Sequence, residues 1–138
     1  MGRLLKVLVV EDLEFDGWQV VHQLEKAGYD IVSERVETAG EMQAALERQT
    51  WDLVISDYTM PQFDAPAALR LLQEVGLDIP FIVVSGTIGE ETAVAMMKAG
   101  AHDYLMKGNL ARLAPSVERE LAQAEIRRDR RQTEQTLQ

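Results

Sequence analysis

The segment Leu4-Leu5-Lys6-Val7-Leu8-Val9-Val10, followed at once by Glu11-Asp12, decides the fold of this 138-residue chain. It is a nearly continuous apolar run rich in valine, which is typical of a strand buried on both faces of a parallel sheet. Three further strands are predicted, each followed or closed by a polar residue: 51–56 before Asp57, 81–85 closed by Ser85, and 103–106 before Lys107.

Between these strands the apolar spacing becomes that of helices. It predicts helices over 14–27, 39–49, 67–75 and 90–99 and from Leu110 onward, with a weaker strand over 31–36. Thr38 and Glu41 form a capping-box pattern at the start of the second helix. Five strands alternating with five helices through short connections require parallel strands and right-handed crossovers. The sequence therefore predicts a three-layer, doubly wound α/β fold.

Composition excludes several classes of protein. The chain has no cysteine, which rules out a disulfide scaffold, a thiolate metal site and a thiol nucleophile. With 14 basic and 23 acidic residues its net charge is −9, which argues against nucleic-acid binding. No apolar run approaches the roughly 20 residues that span a bilayer. The N-terminus does not have the layout of a secretory signal, so we expect no membrane association and a cytoplasmic location.

The charge is unevenly distributed along the chain. Residues 115–138 hold five arginines and five acidic residues, so the whole excess of negative charge lies on residues 1–114. The segment from Gln123 onward has few large apolar residues and no Gly or Pro. We expect a compact domain over residues 1–121 and a polar helical extension over 122–138 that leads toward a further, output domain.

The residues that follow the strands define a candidate site, because ligands of such open sheets bind beyond the carboxyl ends of the strands. Glu11, Asp12, Asp57, Ser85 and Lys107 all fall there. Three clustered carboxylates repel one another unless a cation shares them, and all-oxygen ligands favour Mg²⁺, Mn²⁺ or Ca²⁺ over zinc or copper. An aspartate beside such a cation can attack phosphorus and form an acyl phosphate, with an ammonium and a hydroxyl available to the phosphoryl oxygens.

As a set, four stretches make the chain resemble the receiver domain of two-component response regulators. They are Val7-Leu8-Val9-Val10-Glu11-Asp12, Asp52-Leu53-Val54-Ile55-Ser56-Asp57-Tyr58-Thr59-Met60-Pro61, Ile82-Val83-Val84-Ser85-Gly86 and Ala99-Gly100-Ala101-His102-Asp103-Tyr104-Leu105-Met106-Lys107. The resemblance covers residues 4 to about 121. It implies a flavodoxin-like fold with strand order 2-1-3-4-5.

The resemblance also implies roles for individual residues. Asp57 would be the phospho-acceptor, with a sensor histidine kinase or phosphotransfer protein as donor, and the only catalysis would be self-phosphorylation and slow autodephosphorylation. The metal would be held by Glu11, Asp12, Asp57 and the backbone carbonyl of Thr59. Lys107 would pair with the phosphoryl oxygens, and Ser85 and Tyr104 would reorient as the switch.

One position departs from the family pattern. The family usually has proline, with a cis peptide, after the active-site lysine, whereas this chain has Gly108. A cis peptide to glycine costs about 2.5–4 kcal/mol, so we expect a trans peptide here. Gly108 can still provide the tight turn through other backbone dihedral angles. Thr59 and Thr87, two residues after Asp57 and Ser85, are expected to influence the lifetime of the phosphoryl group.

Three other functions compete with this interpretation. A metal-dependent aspartyl-phosphate phosphohydrolase would need an acid two residues after its nucleophile, where this chain has Thr59. A flavin electron carrier would need a phosphate-binding loop after the first strand, where Glu11 and Asp12 would repel the phosphate. The third is a receiver-like interaction module that is never phosphorylated, against which the complete set of five site residues argues.

The output is not encoded in an obvious motif. The polar helix after residue 121 favours the receiver part of a longer protein over a stand-alone receiver. Its few apolar positions, Leu121, Ala124 and Ile126, predict a symmetric homodimer that pairs through the last helix and its extension.

Overall fold

The structure is a computed structural model that describes residues 2–86 and 89–137, of which 136 and 137 are described by their backbone alone. The strands and helices alternate along the chain. Their bounds are β1 Arg3–Val10, α1 Glu14–Lys26, β2 Tyr29–Val36, α2 Ala39–Arg48, β3 Leu53–Ser56, α3 Ala65–Val75, β4 Phe81–Ser85, α4 Glu90–Ala99, β5 Asp103–Met106, a 3₁₀ helix Lys107–Arg112 and α5 Leu113–Leu137.

The five strands form one parallel sheet in the order β2-β1-β3-β4-β5, as expected. Each face of the sheet carries its own apolar core. Val20 and Leu24 of α1 lie with Val117 of α5 on one face, while Met42 of α2 and Leu69 of α3 lie on the other. The predicted three-layer α/β fold is confirmed. Among the described residues, no helix is both long and apolar enough to cross a bilayer.

Short-range signals set several helix ends. Thr38 Oγ1 accepts the backbone N–H of Glu41 at 3.1 Å, and the Glu41 carboxylate accepts the N–H of Glu37 at 2.9 Å. The capping box is therefore present, with the glutamate bonding one residue earlier than the standard motif has it. Gly76 ends α3 with φ of 86°, a left-handed conformation that glycine adopts without steric cost.

Two helix starts differ from the predicted ones. The third helix starts at Ala65 instead of residue 67, because the Asp64 carboxylate caps it through the N–H of Ala67 at 3.0 Å. The predicted helix from Leu110 begins as a 3₁₀ helix, and α5 begins only at Leu113. The non-helical backbone of Asn109, with φ of −133° and ψ of 48°, separates Lys107 from a regular helix.

The body and the C-terminal helix are in contact beyond residue 121. Leu121 and Ala124 are buried within this chain, so they are not free to pack on a second copy, and only Ile126 of the three apolar positions is exposed. Arg127 Nε donates to Asp78 Oδ2 at 3.0 Å, and Arg131 Nη1 donates to the same oxygen at 2.7 Å. The sequence could not show these contacts because they join residues about fifty positions apart.

Candidate phosphotransfer site

Three carboxylates meet where β1 and β3 end. Glu11 and Asp12 directly follow β1, and Asp57 directly follows β3, which lies beside β1 in the sheet. Each can offer one oxygen such that all three oxygens lie within 4.8 Å of one another. Backbone bonds fix both ends: the N–H of Glu11 donates to Val36 O and that of Asp57 to Val10 O, both at 2.9 Å. The sheet therefore brings together the acids that the sequence placed at its edge.

The electrostatics of this cluster are unfavourable without a cation. Glu11 and Asp57 are both buried. Burial, followed by the negative charge of Asp57, raises the pKa of Glu11 to about 7 from an ordinary 4.5. The N–H of Leu13 and the charge of Lys107 offset this only in part. The donor set is oxygen throughout and carries excess negative charge, which fits a hard divalent ion.

Lys107 places its ammonium among these carboxylates and forms ion pairs with two of them. Its Nζ lies 3.3 Å from Glu11 Oε2 and 3.4 Å from Asp57 Oδ2. Burial alone would lower the pKa of Lys107, but its hydrogen bond to Asp16 and the charges of Glu11 and Asp57 outweigh burial and raise it. All peptides among the described residues are trans, so the expected trans peptide before Gly108 is confirmed.

Two residues of the site were not identified from the sequence. Asp16 Oδ2 lies 2.6 Å from Lys107 Nζ, closer to that nitrogen than Glu11 Oε2 or Asp57 Oδ2. Arg35, on β2, donates through Nη1 to the backbone oxygen of Glu11 at 3.0 Å. A Cβ on Gly17 would lie 3.1 Å from Arg35 Cδ, so this buried glycine gives the arginine room to pass over α1.

A signal for Asp16 was present in the sequence. It is an acid in the first turn of the helix that begins next to the site. The sequence offers no comparable signal for Arg35. Its contact with Glu11 depends on the pairing of β2 with β1 and on the space that Gly17 leaves.

The two residues assigned to the switch lie on neighbouring strands. Ser85 is buried at the end of β4, and Tyr104 is half-buried on β5, opposite Val83. The Tyr104 hydroxyl is buried and has no hydrogen-bond partner of normal geometry among the described residues. Burial raises the pKa of Tyr104, while the nearby Ser85 hydroxyl acts in the opposite direction. Thr87 lies outside the described residues.

The loop after Asp57 is anchored by apolar side chains. Met60 and Phe63 are buried, and the N–H of Ala65 donates to Tyr58 O at 3.2 Å. Thr59 lies between these anchors and is exposed. The loop is thus held against the body, with Thr59 two residues from Asp57.

Comparisons with known proteins agree with this geometry. The family model described as "Response regulator receiver domain" matches residues 7–118. The chemotaxis protein CheY of Bacillus subtilis is 26% identical over 102 residues, which cover 74% of this chain and 84% of CheY. The transcriptional regulatory protein ZraR of Salmonella typhimurium is 31% identical over 107 residues, covering 77% of this chain and 22% of ZraR.

A solved structure extends the likeness into the C-terminal helix. The crystal structure of NtrX from Brucella abortus is 26% identical with a TM-score of 0.82, and the match covers 96% of this chain and 30% of that one. The chain thus spans most of CheY but less than a third of ZraR and of NtrX. The family match supports the receiver interpretation over the phosphohydrolase. The chain belongs to the response regulator receiver domain family of two-component signalling.

Proposed function

We propose that Asp57 is the phospho-acceptor of this receiver and takes its phosphoryl group from the phosphohistidine of a sensor kinase or phosphotransfer protein. The observation that carries the proposal is the meeting of Glu11, Asp12 and Asp57 within 4.8 Å, with the Lys107 ammonium 3.4 Å from Asp57. A nucleophile, ligands for a cation and a counter-charge are then present in one place.

Receiver domains in general bind Mg²⁺ through an acidic pocket and interact with histidine kinases or phosphotransfer proteins. In this chain Glu11, Asp12, Asp57 and the backbone carbonyl of Thr59 would hold Mg²⁺ or Mn²⁺. Burial and the charge of Asp57 raise the pKa of Glu11 to about 7, and a cation bound beside both carboxylates would favour their charged forms. When bound, the cation would neutralise charge that develops on the phosphoryl oxygens.

The transfer follows from the groups of the chain itself. A carboxylate oxygen of Asp57 attacks the phosphorus of the donor, the new O–P bond forms as the N–P bond breaks, and the electron pair of that bond stays on the imidazole nitrogen. Lys107 neutralises one phosphoryl oxygen and the Ser85 hydroxyl donates to another. Slow attack of water on the phosphorus later releases phosphate and restores the carboxylate.

The output would be a change of surface near β5 and α5. Ser85 would reach a phosphoryl group by moving with its loop, and Tyr104 would shift with it. Among the described residues the Tyr104 hydroxyl has no hydrogen bond of normal geometry that this shift would break. We propose residues 1–121 as the receiver and 122–138 as the helical connection to an output. We also propose a homodimer through α5, for which exposed Ile126 supplies the apolar contact. The proposed location is the cytoplasm, and no nucleic acid is expected to bind this acidic chain.

Phosphorylation by acetyl phosphate in the presence of Mg²⁺ tests the proposal. Intact-mass measurement should show one added phosphoryl group that is stable to acid and labile to base. Asp57→Asn should abolish it, whereas Asp30→Asn, at an exposed aspartate on β2, should not. Lys107→Ala should be labelled more slowly, because it removes a counter-charge and not the nucleophile. An Asp57→Asn variant that is labelled as well as the parent chain would place the acceptor elsewhere.

A further inference from the structure

Lys107 has three carboxylate partners, and they are not equivalent. Its Nζ lies 2.6 Å from Asp16 Oδ2, but 3.3 Å from Glu11 Oε2 and 3.4 Å from Asp57 Oδ2. The shortest contact is therefore to the one acid that comes from α1 and not from a strand end. The pair joins positions 91 residues apart and connects α1 to the segment that follows β5.

The three partners also differ in what a cation would do to them. Glu11 and Asp57 belong with Asp12 to the cluster whose oxygens can share one ion, and Asp16 is not a member of that cluster. A divalent cation there would take the two longer partners of Lys107 and leave the short one. Asp16 lies in the first turn of α1, where the helix dipole favours negative charge.

A lysine beside a divalent cation is electrostatically unstable unless something holds it. Like charges a few ångströms apart repel strongly at a partly buried site, and the lysine stem is flexible enough to move its ammonium into water. The Lys107 side chain is already 23% exposed, so its ammonium could move into solvent.

We propose that Asp16 is the positioning residue that keeps Lys107 at the site when Glu11, Asp12 and Asp57 are occupied by a metal ion. This inference rests on the proposed phosphotransfer at Asp57. The ammonium has three protons. With Asp16 retained as its partner, Lys107 would keep two donors for phosphoryl oxygens. Asp16 thus acts through Lys107 and does not touch the phosphoryl group.

Chemical labelling of lysine amines, followed by peptide mass spectrometry, tests this directly. Lys26 and Lys98 are exposed and serve as internal references. In the parent chain Lys107 should stay protected with or without Mg²⁺. In Asp16→Asn the addition of Mg²⁺ should speed its labelling about tenfold, and Asp16→Glu should restore protection. Glu14→Gln is the matched control, because it removes an exposed acid from the same helical turn.

Binding of beryllofluoride at saturating Mg²⁺ provides the second readout. Asp16→Asn should weaken it about three- to tenfold, the range of a partly exposed ion pair, and in a Lys107→Met background the same change should have no effect. Labelling of Lys107 in Asp16→Asn that is no faster than in Glu14→Gln would overturn the inference. Absence of Asp57-dependent beryllofluoride binding in the parent chain would instead overturn the proposed function, and the labelling result would still decide the role of Asp16.

Discussion

Both ends of the sheet hold charged clusters, but the two clusters are built in opposite ways. At the carboxyl end, three carboxylates, those of Glu11, Asp16 and Asp57, share the ammonium of Lys107, and Asp12 lies beside two of them. At the amino end, near the start of β4, the lone carboxylate of Asp78 is shared by Arg127 and Arg131.

The pKa values of Glu11 and Asp78 are shifted in opposite directions at the two ends. Burial and a neighbouring acid raise the pKa of Glu11 to about 7, whereas the hydrogen bond from Arg127, ahead of the other contributions, lowers the pKa of Asp78. At the amino end the carboxylate of Asp78 has two guanidinium partners. At the carboxyl end the clustered acids outnumber the ammonium that pairs with them, and the proposed metal ion would offset this excess of negative charge. The same conversion of carboxylate to amide should therefore have opposite effects at the two ends.

The largest effect is expected for Glu11→Gln without metal. Between pH 4.5 and about 7 the folded state holds more protons at Glu11 than the unfolded state, so the free energy of unfolding falls as pH rises through that window. The variant removes this loss and should be more stable than the parent by about 3 kcal/mol at pH 8, at about 1.4 kcal/mol per pKa unit. Urea denaturation in EDTA at pH 5 and pH 8 measures it. A variant less stable than the parent at pH 8 would contradict a charge shortage at this end.

Asp78→Asn should have the opposite sign and a smaller size. It leaves Arg127 and Arg131 without their shared acceptor, and a loss of about 1–2 kcal/mol of unfolding free energy is expected at neutral pH. Because the folded pKa of Asp78 is depressed, its contribution is present above the unfolded value near 3.8 and is lost as pH falls through the folded value. The same denaturation experiment, with Asp30→Asn as control, checks the sign. An unchanged free energy of unfolding would mean that the ion pairs of Asp78 with Arg127 and Arg131 do not stabilise the fold.

The smallest effect concerns His102, beside the Asp78 cluster. Its Nδ1 accepts the N–H of Phe81 at 3.0 Å, which requires that nitrogen to be unprotonated. Burial, then the charge of Arg127, lowers the pKa of His102 below 6.5, so its contribution to stability is present above 6.5 and is lost as pH falls. The expected loss is about 1 kcal/mol, the worth of one hydrogen bond.

The slope from Glu11 has the opposite sign over the same range of pH, so the His102 effect is best measured in the Glu11→Gln background. There, His102→Asn should flatten the remaining dependence between pH 7.5 and 5.5. A slope that survives the second substitution would assign it to another group.

Much of the fold and the centre of the site could be predicted because they depend on local patterns. Valine-rich runs ending in polar residues predicted the strands, and parallel order then placed Glu11, Asp12 and Asp57 at one edge. Asp16 and Arg35 could not be found this way. Asp16 belongs to α1 and contacts a lysine 91 residues away, and Arg35 reaches Glu11 through the space beside Gly17.

The C-terminal helix shows the same limit. Polarity predicted that it leaves the body at residue 121, and an apolar pattern suggested a partner for Leu121 and Ala124. In the structure both residues are buried within this chain, and Arg127 forms an ion pair with Asp78. A helical pattern states which side chains share a face, but it does not state what covers that face.

The 91-residue separation of Asp16 and Lys107 has a consequence for synthesis on the ribosome. Glu11, Asp12, Asp16 and Asp57 are all translated before Lys107, which follows Asp57 by 50 residues. At about 5–20 residues per second, a nascent chain carries these acids for several seconds without their ammonium. A partial sheet of β2, β1 and β3 would bring these like charges together before Lys107 can pair with them. The order of translation thus disfavours early closure of the site, and a nascent chain gains most by completing the sheet after β5 has emerged.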